Sequence, residues 1–374
     1  MYFSSLRLQG FRNYPFLEWK PAPGITVLYG ANGSGKTNLL EAMHLLSLGR
    51  SHRTSLDREM IAQGGEAAFV RGETHRLDGR HEVEIRLYAQ ERPQKRLLLY
   101  GKPAQRVADL MGHATVVMFS PEDIRMVRDG PAARRRFVDM QLSQIRPGYL
   151  RALKTYLTAL ESRNALLKRE KLEGGNDFVF QLEAWDEQLA RAATPLVEQR
   201  RWFLDRLSQN AAAQYASIAE NPEEPFALAY AGPLSQSDDP YSAMLEGLRR
   251  SRGEDRRRLY TTFGPHRDDV SLLLYGRELR ALGSQGQLRT AILSLKLGEI
   301  TLIEQEMGEA PALLLDDVFS ELDARRRAAL LRSTRAVQTL ITCTDRQDAA
   351  GAKADCFLRV GQDGTGAAFL RQEE

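Results

Sequence analysis

Residues 30–37 are Gly30-Ala31-Asn32-Gly33-Ser34-Gly35-Lys36-Thr37, which match the phosphate-binding pattern G-x-x-x-x-G-K-[ST]. An apolar run over Ile25–Tyr29 precedes them and favours a buried strand, and apolar residues at helical spacing follow them. A glycine-rich turn between a strand and a helix lets backbone N–H groups surround phosphates at the helix N-terminus. We therefore expect all eight residues to bind ATP, with Lys36 on the β- and γ-phosphates and the Thr37 hydroxyl on Mg²⁺.

A second element of the same chemistry lies near the C-terminus. The apolar run Ala312–Leu315 predicts a core strand that ends at Asp316-Asp317. A carboxylate at the end of that strand can hold Mg²⁺ through water, so Asp316 is expected at the sheet edge beside the loop. Asp317 is then placed to accept a proton from the attacking water. Lys36 and Asp317 are the predicted catalytic residues of this half of the site.

Two further motifs resemble those of ABC-type ATPases. Ser284-Gln285-Gly286-Gln287, at a predicted helix start, resembles their signature motif, and Ser320-Glu321-Leu322-Asp323 resembles their D-loop. A serine and a glycine at a helix start can form a second anion site. In that family the signature faces ATP held by the partner subunit, so the resemblance implies nucleotide contacts from Ser284, Gly286, Gln287 and Asp323, with a catalytic role for Ser284.

The order of predicted elements indicates an α/β fold interrupted by a mostly helical insert. Strand, loop and helix come first, a β-meander follows, and strands alternate with helices again at the end. We expect an ABC-type ATPase lobe with a discontinuous sheet at 1–120 and 305–374. A mostly helical second lobe, which includes the signature motif, is expected at 121–304. Its apolar heptads are too few for a long coiled coil.

Within the second lobe, several boundaries are predicted from spacing and breakers. Helices are expected over Tyr149–Lys171 and Phe180–Ile218, the latter broken near Pro195. The Pro- and Asp-rich stretch 220–240 predicts a loop, followed by a basic helix that extends to about Leu259. Strands are then expected at Val270–Tyr275 and Glu278–Leu282, and a helix at Gln285–Met307.

Bulk composition excludes several classes of protein. No apolar stretch approaches the ~18 residues that a membrane span needs, and no secretion signal is visible, so a cytoplasmic location is expected. The only cysteines, Cys343 and Cys356, lack the spacing of a zinc site or a disulfide framework. The net charge of +3 is too small to indicate nucleic-acid binding by itself, although arginines are bunched at 134–136 and 249–258.

Nearly the whole chain resembles the RecF family of recombination mediators. The motifs that carry the resemblance are Gly10–Tyr14, the loop with Asn38–Ala42, Phe119–Asp123, Arg134–Asp139, Gly264–Asp269 and Leu315–Asp323. These proteins are similar to the head domains of Rad50 and of the structural-maintenance-of-chromosomes (SMC) proteins, without the coiled-coil arm. The resemblance implies ATP-dependent homodimers that hydrolyse ATP slowly, as a weak DNA-stimulated ATPase.

The same resemblance implies partners. It implies binding to single- and double-stranded DNA at gaps and junctions, and action with RecO and RecR to load RecA in repair, replication and SOS induction. Phosphate contacts need only arginine or lysine. The candidates for DNA contacts are Arg50, Arg53 and Arg58 in the first lobe and Arg134, Arg135 and Arg136 in the second.

Some positions depart from the ABC-type pattern. Asp317 stands where most such ATPases have Glu, which suits slow hydrolysis, and Thr344-Asp345 stand where a switch histidine is usual. The region that corresponds to the Q-loop is expected at Phe119–Glu122, without a clear glutamine. Two other functions use the same loop: a P-loop kinase for a small metabolite, which needs no signature or D-loop, and a transporter's ATP-binding subunit, which needs a membrane partner.

Overall fold

The computed structural model describes residues 1–89, 94–173, 177–219, 221, 223–334, 337–349 and 351–372. The chain forms two compact units. Unit 1 consists of Met1–Ile124, Asn210–Glu224 and Gly283–Glu374, and unit 2 of Arg125–Gln209 and Pro225–Leu282. Unit 1 is therefore assembled from separate stretches of the chain, as the order of predicted elements indicated. Among the described residues no helix combines the length and hydropathy that a membrane crossing needs.

An antiparallel sheet forms the first layer of unit 1, with strand order β2-β1-β4-β5-β6-β7. Its long strands alternate between buried and less buried residues, as expected for a sheet with one face on the core. The strands are β1 (Tyr2–Phe11), β2 (Tyr14–Trp19), β4 (Ala67–Arg76), β5 (Gly79–Tyr88), β6 (Gln94–Leu99) and β7 (Lys102–Ala104).

A mixed sheet forms the second layer, with strand order β15-β14-β3-β13-β12-β8. From β14 to β8 its neighbouring strands are parallel, and β15 pairs antiparallel with β14 at one edge. The central strands are buried almost throughout, which is typical of a parallel sheet covered on both faces. They are β3 (Ile25–Tyr29), β8 (Val116–Phe119), β12 (Ala312–Asp316), β13 (Thr339–Cys343), β14 (Cys356–Gln362) and β15 (Ala368–Gln372).

Helix α1 (Lys36–Leu48) contacts strands of both sheets of unit 1. Nearly all of its residues are buried, including Glu41 and His44, so the helix is enclosed on every side. The other helices of this unit are α8 (Gln285–Met307) and α9 (Ala324–Ser333). Short 3₁₀ turns connect the elements at Asp57–Met60, Val107–Asp109, Pro121–Asp123, Val318–Glu321 and Arg346–Ala349.

Unit 2 is mostly helical. Its small antiparallel sheet has the order β11-β10-β9, with β9 at Phe226–Ala231, β10 at Asp269–Leu274 and β11 at Arg277–Glu278. A 3₁₀ turn at Pro265–Arg267 precedes β10. The helices are α2 (Ile124–Arg128), α3 (Pro131–Ile145), α4 (Pro147–Glu173), α5 (Phe178–Ile218), α6 (Pro240–Arg258) and α7 (Leu279–Leu282); α2 begins and α5 ends among residues of unit 1.

Three predictions inside the insert are wrong. Helix α5 continues through Pro195, where a break was expected, because residues on both sides of the proline are buried and hold the helix together. The expected loop at 220–240 contains β9, which pairs with β10 along its whole length. The expected strand at Glu278–Leu282 is a short strand followed by α7. In each case long-range packing overrides local composition.

The compact units also divide the chain at other positions than the expected lobes. The second lobe was expected to continue to residue 304, whereas unit 2 ends at Leu282 and α8 belongs to unit 1. Lys296 of α8 forms an ion pair with Asp123, and Gly298 lies so close to Ala211 that a Cβ there would be 2.8 Å from the Ala211 nitrogen. The helix that begins at the signature motif is thus packed into the same unit as the phosphate-binding loop.

Candidate nucleotide site

The loop between β3 and α1 adopts a conformation that favours glycine. Gly30, Gly33 and Gly35 have φ values of 152°, 80° and 116°. At Gly30 a Cβ would lie 2.2 Å from the carbonyl oxygen of Val360, so no side chain fits there. At Gly33 a Cβ would meet nothing within 4 Å, which leaves open space on that side of the loop. The backbone is therefore shaped to approach a ligand closely.

Lys36, the first residue of α1, is folded back over this loop. Its Nζ donates hydrogen bonds to the carbonyl oxygens of Gly30 at 2.6 Å and Ala31 at 2.9 Å. Burial lowers the pKa of Lys36, while Asp317, Cys343 and Asp316 act in the opposite direction. An ammonium group held over the loop by two backbone carbonyls is ready to exchange them for phosphate oxygens.

Thr37 and the end of β12 meet directly. The Thr37 hydroxyl donates a 2.9 Å hydrogen bond to Oδ1 of Asp316. The Thr342 hydroxyl, at the end of β13, donates to the same oxygen at 2.8 Å and accepts a 2.9 Å hydrogen bond from the backbone N–H of Asp317. One threonine therefore orients both aspartates of the predicted pair. The two predicted Mg²⁺ ligands, Thr37 and Asp316, are brought together as expected from the sequence.

Asp317 has the environment of a proton acceptor. Burial and the neighbouring Asp316 carboxylate raise its pKa, which makes the ionised form more basic than an ordinary aspartate. Its backbone is left-handed, with φ 51°, a conformation that aspartate tolerates better than most residues. This turn begins the segment that leads to Asp323.

Two cavities flank the loop. One, of about 290 Å³, is lined by Asn32, Gly33, Gly35, Lys36, Thr37, Asn38, Arg53, Asp316, Asp317 and Thr342. The other, of about 540 Å³, lies towards the β14–β15 hairpin, and its lining includes Gly30, Ala31, Ser34, Arg346 and Gln362. Asn32 lines both cavities. All eight loop residues thus border one cavity or the other.

The turn between β1 and β2 supports the loop, a role that the sequence did not reveal. Asn13 donates from Nδ2 to the carbonyl oxygen of Ser34 at 3.1 Å, and the Tyr14 hydroxyl donates to that of Gly35 at 3.2 Å. Arg12 binds the fully buried Glu41 of α1 through two nitrogens, at 2.6 and 2.9 Å. The motif Gly10–Tyr14 carried the resemblance noted above, but only the structure shows that it lies against the loop.

Arg326 bridges the signature and the D-loop, away from the loop cavities. Ser284 caps α8: its Oγ accepts from the Gln287 N–H at 3.2 Å, and Gln287 Oε1 accepts from the Ser284 N–H at 2.9 Å. Arg326 donates to the Gly286 carbonyl at 2.8 Å and forms an ion pair with Asp323. Neither the signature residues Ser284–Gln287 nor Asp323 are among the described residues that line the two cavities.

The segment expected to correspond to the Q-loop lies beside α8. Ser120 donates its backbone N–H to Asp123 at 2.7 Å, and Lys296 of α8 forms an ion pair with the same carboxylate at 3.2 Å. Glu299, one turn further along α8, is fully buried; it forms an ion pair with Lys296 at 3.7 Å, and neither of its carboxylate oxygens has a hydrogen-bond partner among the described residues. Burial raises its pKa to about 7. These contacts tie the segment to the signature helix.

His52 is another residue near the site that the sequence did not single out. Burial lowers its pKa, while the negative charges of Glu41, Asp316 and Glu122 oppose that shift, so all three lie within electrostatic reach of the ring. Its Nδ1 is buried without a hydrogen-bond partner among the described residues. No motif marks this histidine, and only the fold places it near Asp316.

The arginines expected to contact DNA differ in their surroundings. Arg134 is only 3% exposed; it forms an ion pair with Asp269 at 2.6 Å and donates to the carbonyls of Met126 and Asp129. It stabilises unit 2 and is not available to a phosphate, which corrects the expectation for that residue. Arg135 is half-buried and donates a hydrogen bond to the backbone carbonyl oxygen of Asp268. Arg50, Arg58 and Arg136 are exposed. Arg53 is exposed too, but it donates to Asn38 at 2.9 Å, pairs with the buried Glu41 at 3.4 Å and lines the cavity beside Lys36.

The residues present fit a magnesium nucleotide. The buried Ser34 hydroxyl has no hydrogen-bond partner among the described residues, and the loop leaves open space at Gly33. Thr37 and Asp316 offer adjacent oxygen donors, the ligand type that Mg²⁺ prefers. When bound, the ion would neutralise charge on the phosphates. A glycine-rich loop with open space at Gly33, a lysine folded over it and two oxygen donors for the cation is thus a suitable site for a magnesium triphosphate.

Comparison with known proteins agrees with this geometry. The family model described as "RecF/RecN/SMC N terminal domain" matches residues 2–366. "DNA replication and repair protein RecF" of Symbiobacterium thermophilum is 44% identical over 358 residues, which cover 93% of this chain and 92% of the relative. The protein of that name from an Exiguobacterium species is 41% identical over 351 residues, which cover 92% of this chain and 93% of the relative.

Solved structures give the same result. The structure titled "Structure of the recombination mediator protein RecF-ATP in RecFOR pathway" has a TM-score of 0.91 and 32% identity, and the match covers 100% of this chain and 98% of that one. An SMC head domain from Pyrococcus furiosus has a TM-score of 0.58 at 17% identity, with 100% of this chain and 96% of that chain covered. The latter likeness concerns the fold alone, and it confirms the predicted ABC-type, SMC head-like fold class.

Proposed function

The chain belongs to the RecF family of DNA replication and repair proteins, and from this membership we propose that it is an ATP-gated, DNA-binding dimer. In this proposal ATP closes two copies of the chain on DNA, and hydrolysis times their release. The observation that carries the proposal is the placement of two anion-binding elements in unit 1. The phosphate-binding loop is one, and the start of α8 at Ser284–Gln287, outside the loop cavities, is the other.

ATP and Mg²⁺ are held by the loop in this proposal. Backbone N–H groups of Gly33–Thr37 surround the phosphates, and Lys36 leaves the Gly30 and Ala31 carbonyls to contact them. Thr37 and Asp316 hold the ion, and Thr342 keeps Asp316 oriented. The chain's own contribution is thus a preformed arrangement of donors and carboxylates.

Dimerisation is the part of the proposal that brings the signature to a nucleotide. Ser284, Gly286 and Gln287 do not line the loop cavities, so the nucleotide contacts that the family resemblance implies for them require a nucleotide held by another copy of the chain. The partial positive charge at the N-terminus of α8 favours an anion such as the γ-phosphate. Asp323, fixed to the signature by Arg326, then faces the same contact.

Slow hydrolysis is a further part of the proposal. Asp317 accepts a proton from the attacking water, and its raised pKa suits that role. Its side chain is one methylene shorter than the glutamate usual at this position, so it holds the water less closely. We infer a weak, DNA-stimulated ATPase that serves as a dimerisation switch.

DNA and the partner proteins complete the proposal. We infer binding at gaps and at junctions of single- and double-stranded DNA, and action with RecO and RecR in loading RecA, on the basis of family membership and the RecFOR pathway named for the solved relative. The exposed residues proposed to contact phosphates are Arg50, Arg53, Arg58 and Arg136, with the half-buried Arg135 as a weaker candidate.

A gel-shift experiment tests the proposal. Gapped, duplex and single-stranded DNA are each mixed with the protein in the presence of ATP, ADP or no nucleotide, and Lys36→Met is compared with the unmodified chain. We expect ATP to strengthen DNA binding and Lys36→Met to remove that effect. DNA binding that ignores the nucleotide refutes gating by ATP, and phosphoryl transfer to a small acceptor, unaffected by DNA, would favour the kinase alternative.

A further inference from the structure

Helix α6 of unit 2 carries an array of arginines that the nucleotide site does not use. All six of its cations are arginine, at positions 249, 250, 252, 256, 257 and 258. Arg252 is committed to the fold, because it pairs with Asp186 and Glu183, and Arg258 pairs with Glu254 at 2.7 Å. The other four are exposed, and of these the Arg256 guanidinium lies 5.3 Å from the centre of the Phe178 ring.

These four exposed arginines share one face. At about 100° per residue, Arg249, Arg250, Arg256 and Arg257 fall within an arc of roughly 120° around the helix. Met244, Leu248 and Asp255 are buried on the opposite side. The only carboxylate on the arc is Glu246, 3.8 Å from Arg250. Arg249 and Arg257 form no ion pair with a carboxylate of the described residues, so the arc retains a strong positive charge.

A glycine lies at the centre of the arc. Gly253 is in the middle of α6 and exposed, and a Cβ built there would meet nothing within 4 Å. A glycine inside a helix is destabilising relative to alanine, and packing does not require it here. Because Gly253 has no side chain, a bulky anion can approach the helix backbone between the four arginines.

Arginine is the side chain best suited to phosphate, since its planar fork donates two parallel hydrogen bonds. Arg249 and Arg256 are about 10 Å apart along the helix axis, so the charges form a row instead of a single pocket. A row fits a ligand whose charges repeat, such as a nucleic-acid strand. Beyond the helix C-terminus, Arg267 is also exposed, with its guanidinium 5.0 Å above the Tyr260 ring.

We propose that this arginine arc of α6, made of Arg249, Arg250, Arg256 and Arg257 around Gly253, binds the phosphate backbone of DNA. The inference rests on the proposed DNA-binding function and adds to it a contact surface in unit 2. Binding is independent of base sequence, because the arc offers charge and bidentate donors to phosphates but no element that reaches base edges.

The test measures the salt dependence of DNA binding by the full-length protein with ATP. The affinity for a labelled duplex is determined between 50 and 200 mM salt for the unmodified chain and for Arg249→Gln/Arg257→Gln. A control, Arg151→Gln/Arg191→Gln, removes the same charge from exposed positions on α4 and α5. At about 0.9 per phosphate contact, the slope of log affinity against log salt should fall by about 1.8 in the first variant and stay unchanged in the control.

A second pair of variants tests whether DNA approaches the helix at Gly253. Gly253→Glu and Gly253→Gln have the same size and differ in charge, so thermal unfolding and DNA-independent ATP hydrolysis should be alike in both. We expect Gly253→Glu to bind DNA at least about tenfold more weakly than Gly253→Gln, because it places a carboxylate among the arginines.

Each outcome separates the inference from the function beneath it. No DNA binding by the unmodified chain overturns the proposed function, and the inference with it. Normal binding by the unmodified chain, with an unaltered salt slope in Arg249→Gln/Arg257→Gln, overturns only the role of α6. Competition by polyglutamate as strong as that by unlabelled duplex would also overturn it, since the arc would then fit an acidic protein segment.

Discussion

The Thr37 hydroxyl donates a 2.9 Å hydrogen bond to the Asp316 carboxylate, although 279 positions separate the two residues in the chain. This contact joins the helix after the phosphate-binding loop to the end of a strand near the C-terminus. Two oxygen donors at that spacing create the part of the site that a divalent cation would use.

Thr342→Val should weaken Mg²⁺ binding without removing the ion's ligands. The Thr342 hydroxyl orients Asp316 at 2.8 Å and accepts from the Asp317 backbone at 2.9 Å, and valine has nearly the same shape without these bonds. Losing an orienting partner of a ligand typically costs about 10- to 100-fold in metal affinity. The Mg²⁺ dependence of ATP hydrolysis measures the effect. Thr339→Val, on the same strand with its hydroxyl on the Val337 carbonyl, is the control and should leave that dependence unchanged.

Ser284→Arg should block ATP-driven self-association while ATP still binds. Ser284 begins α8 outside the loop cavities, so a large cation there obstructs a second copy of the chain but not the loop. Sedimentation with and without ATP measures association, and a fluorescent ATP analogue measures binding. Thr155→Arg adds the same charge to an exposed position on α4 and should dimerise normally. Dimerisation of Ser284→Arg at normal strength would contradict the model in which two copies of the chain share the nucleotide.

Glu299→Gln should change how stability depends on pH. Burial raises the pKa of Glu299 from 4.5 to about 7, so the folded state holds a proton more tightly than the unfolded state. Its contribution to stability is therefore complete below about pH 4.5 and is lost as the pH rises through 7. The variant keeps a neutral group at every pH. Chemical unfolding across pH 4–8 should show the unmodified chain losing stability relative to Glu299→Gln over this window; parallel curves would contradict the prediction.

Arg12→Met should destabilise the support beneath the loop. It leaves the fully buried Glu41 carboxylate without the two hydrogen bonds that Arg12 donates, while Ser51 still donates to it and Arg53 lies 3.4 Å away. Leaving a buried acceptor with fewer partners should cost about 2 kcal/mol in the free energy of unfolding. Arg80→Met, which breaks a more exposed pair with Glu73, is the matched control and should cost no more than about 1 kcal/mol. Equal losses of unfolding free energy in both variants would show that the Arg12–Glu41 pair stabilises the protein no more than an exposed pair.

Much of the local structure follows from the sequence. The helix predicted at Gln285–Met307 has those bounds in the structure, and the expected β-meander is present as β4, β5 and β6. These segments are strongly patterned, and their neighbours in the chain decide their conformation. Where the outcome depended on distant partners, local composition was a poor guide. Strand β9 forms because β10 pairs with it, and Pro195 stays inside α5 because its flanks are buried.

By itself the sequence determined the phosphate-binding loop, the aspartate pair and the helix start at Ser284, because each is a short motif whose chemistry depends on adjacent residues. Only the tertiary structure decided how they meet. Strand β13 lies between β3 and β12, which places Thr342 next to Asp316. The β1–β2 turn of the other sheet lies against the loop, where Asn13 donates to the Ser34 carbonyl. Tertiary packing also buried Arg134 on Asp269 and left the arginines of α6 exposed. Strand order and burial arise from contacts between distant residues, which no local pattern records.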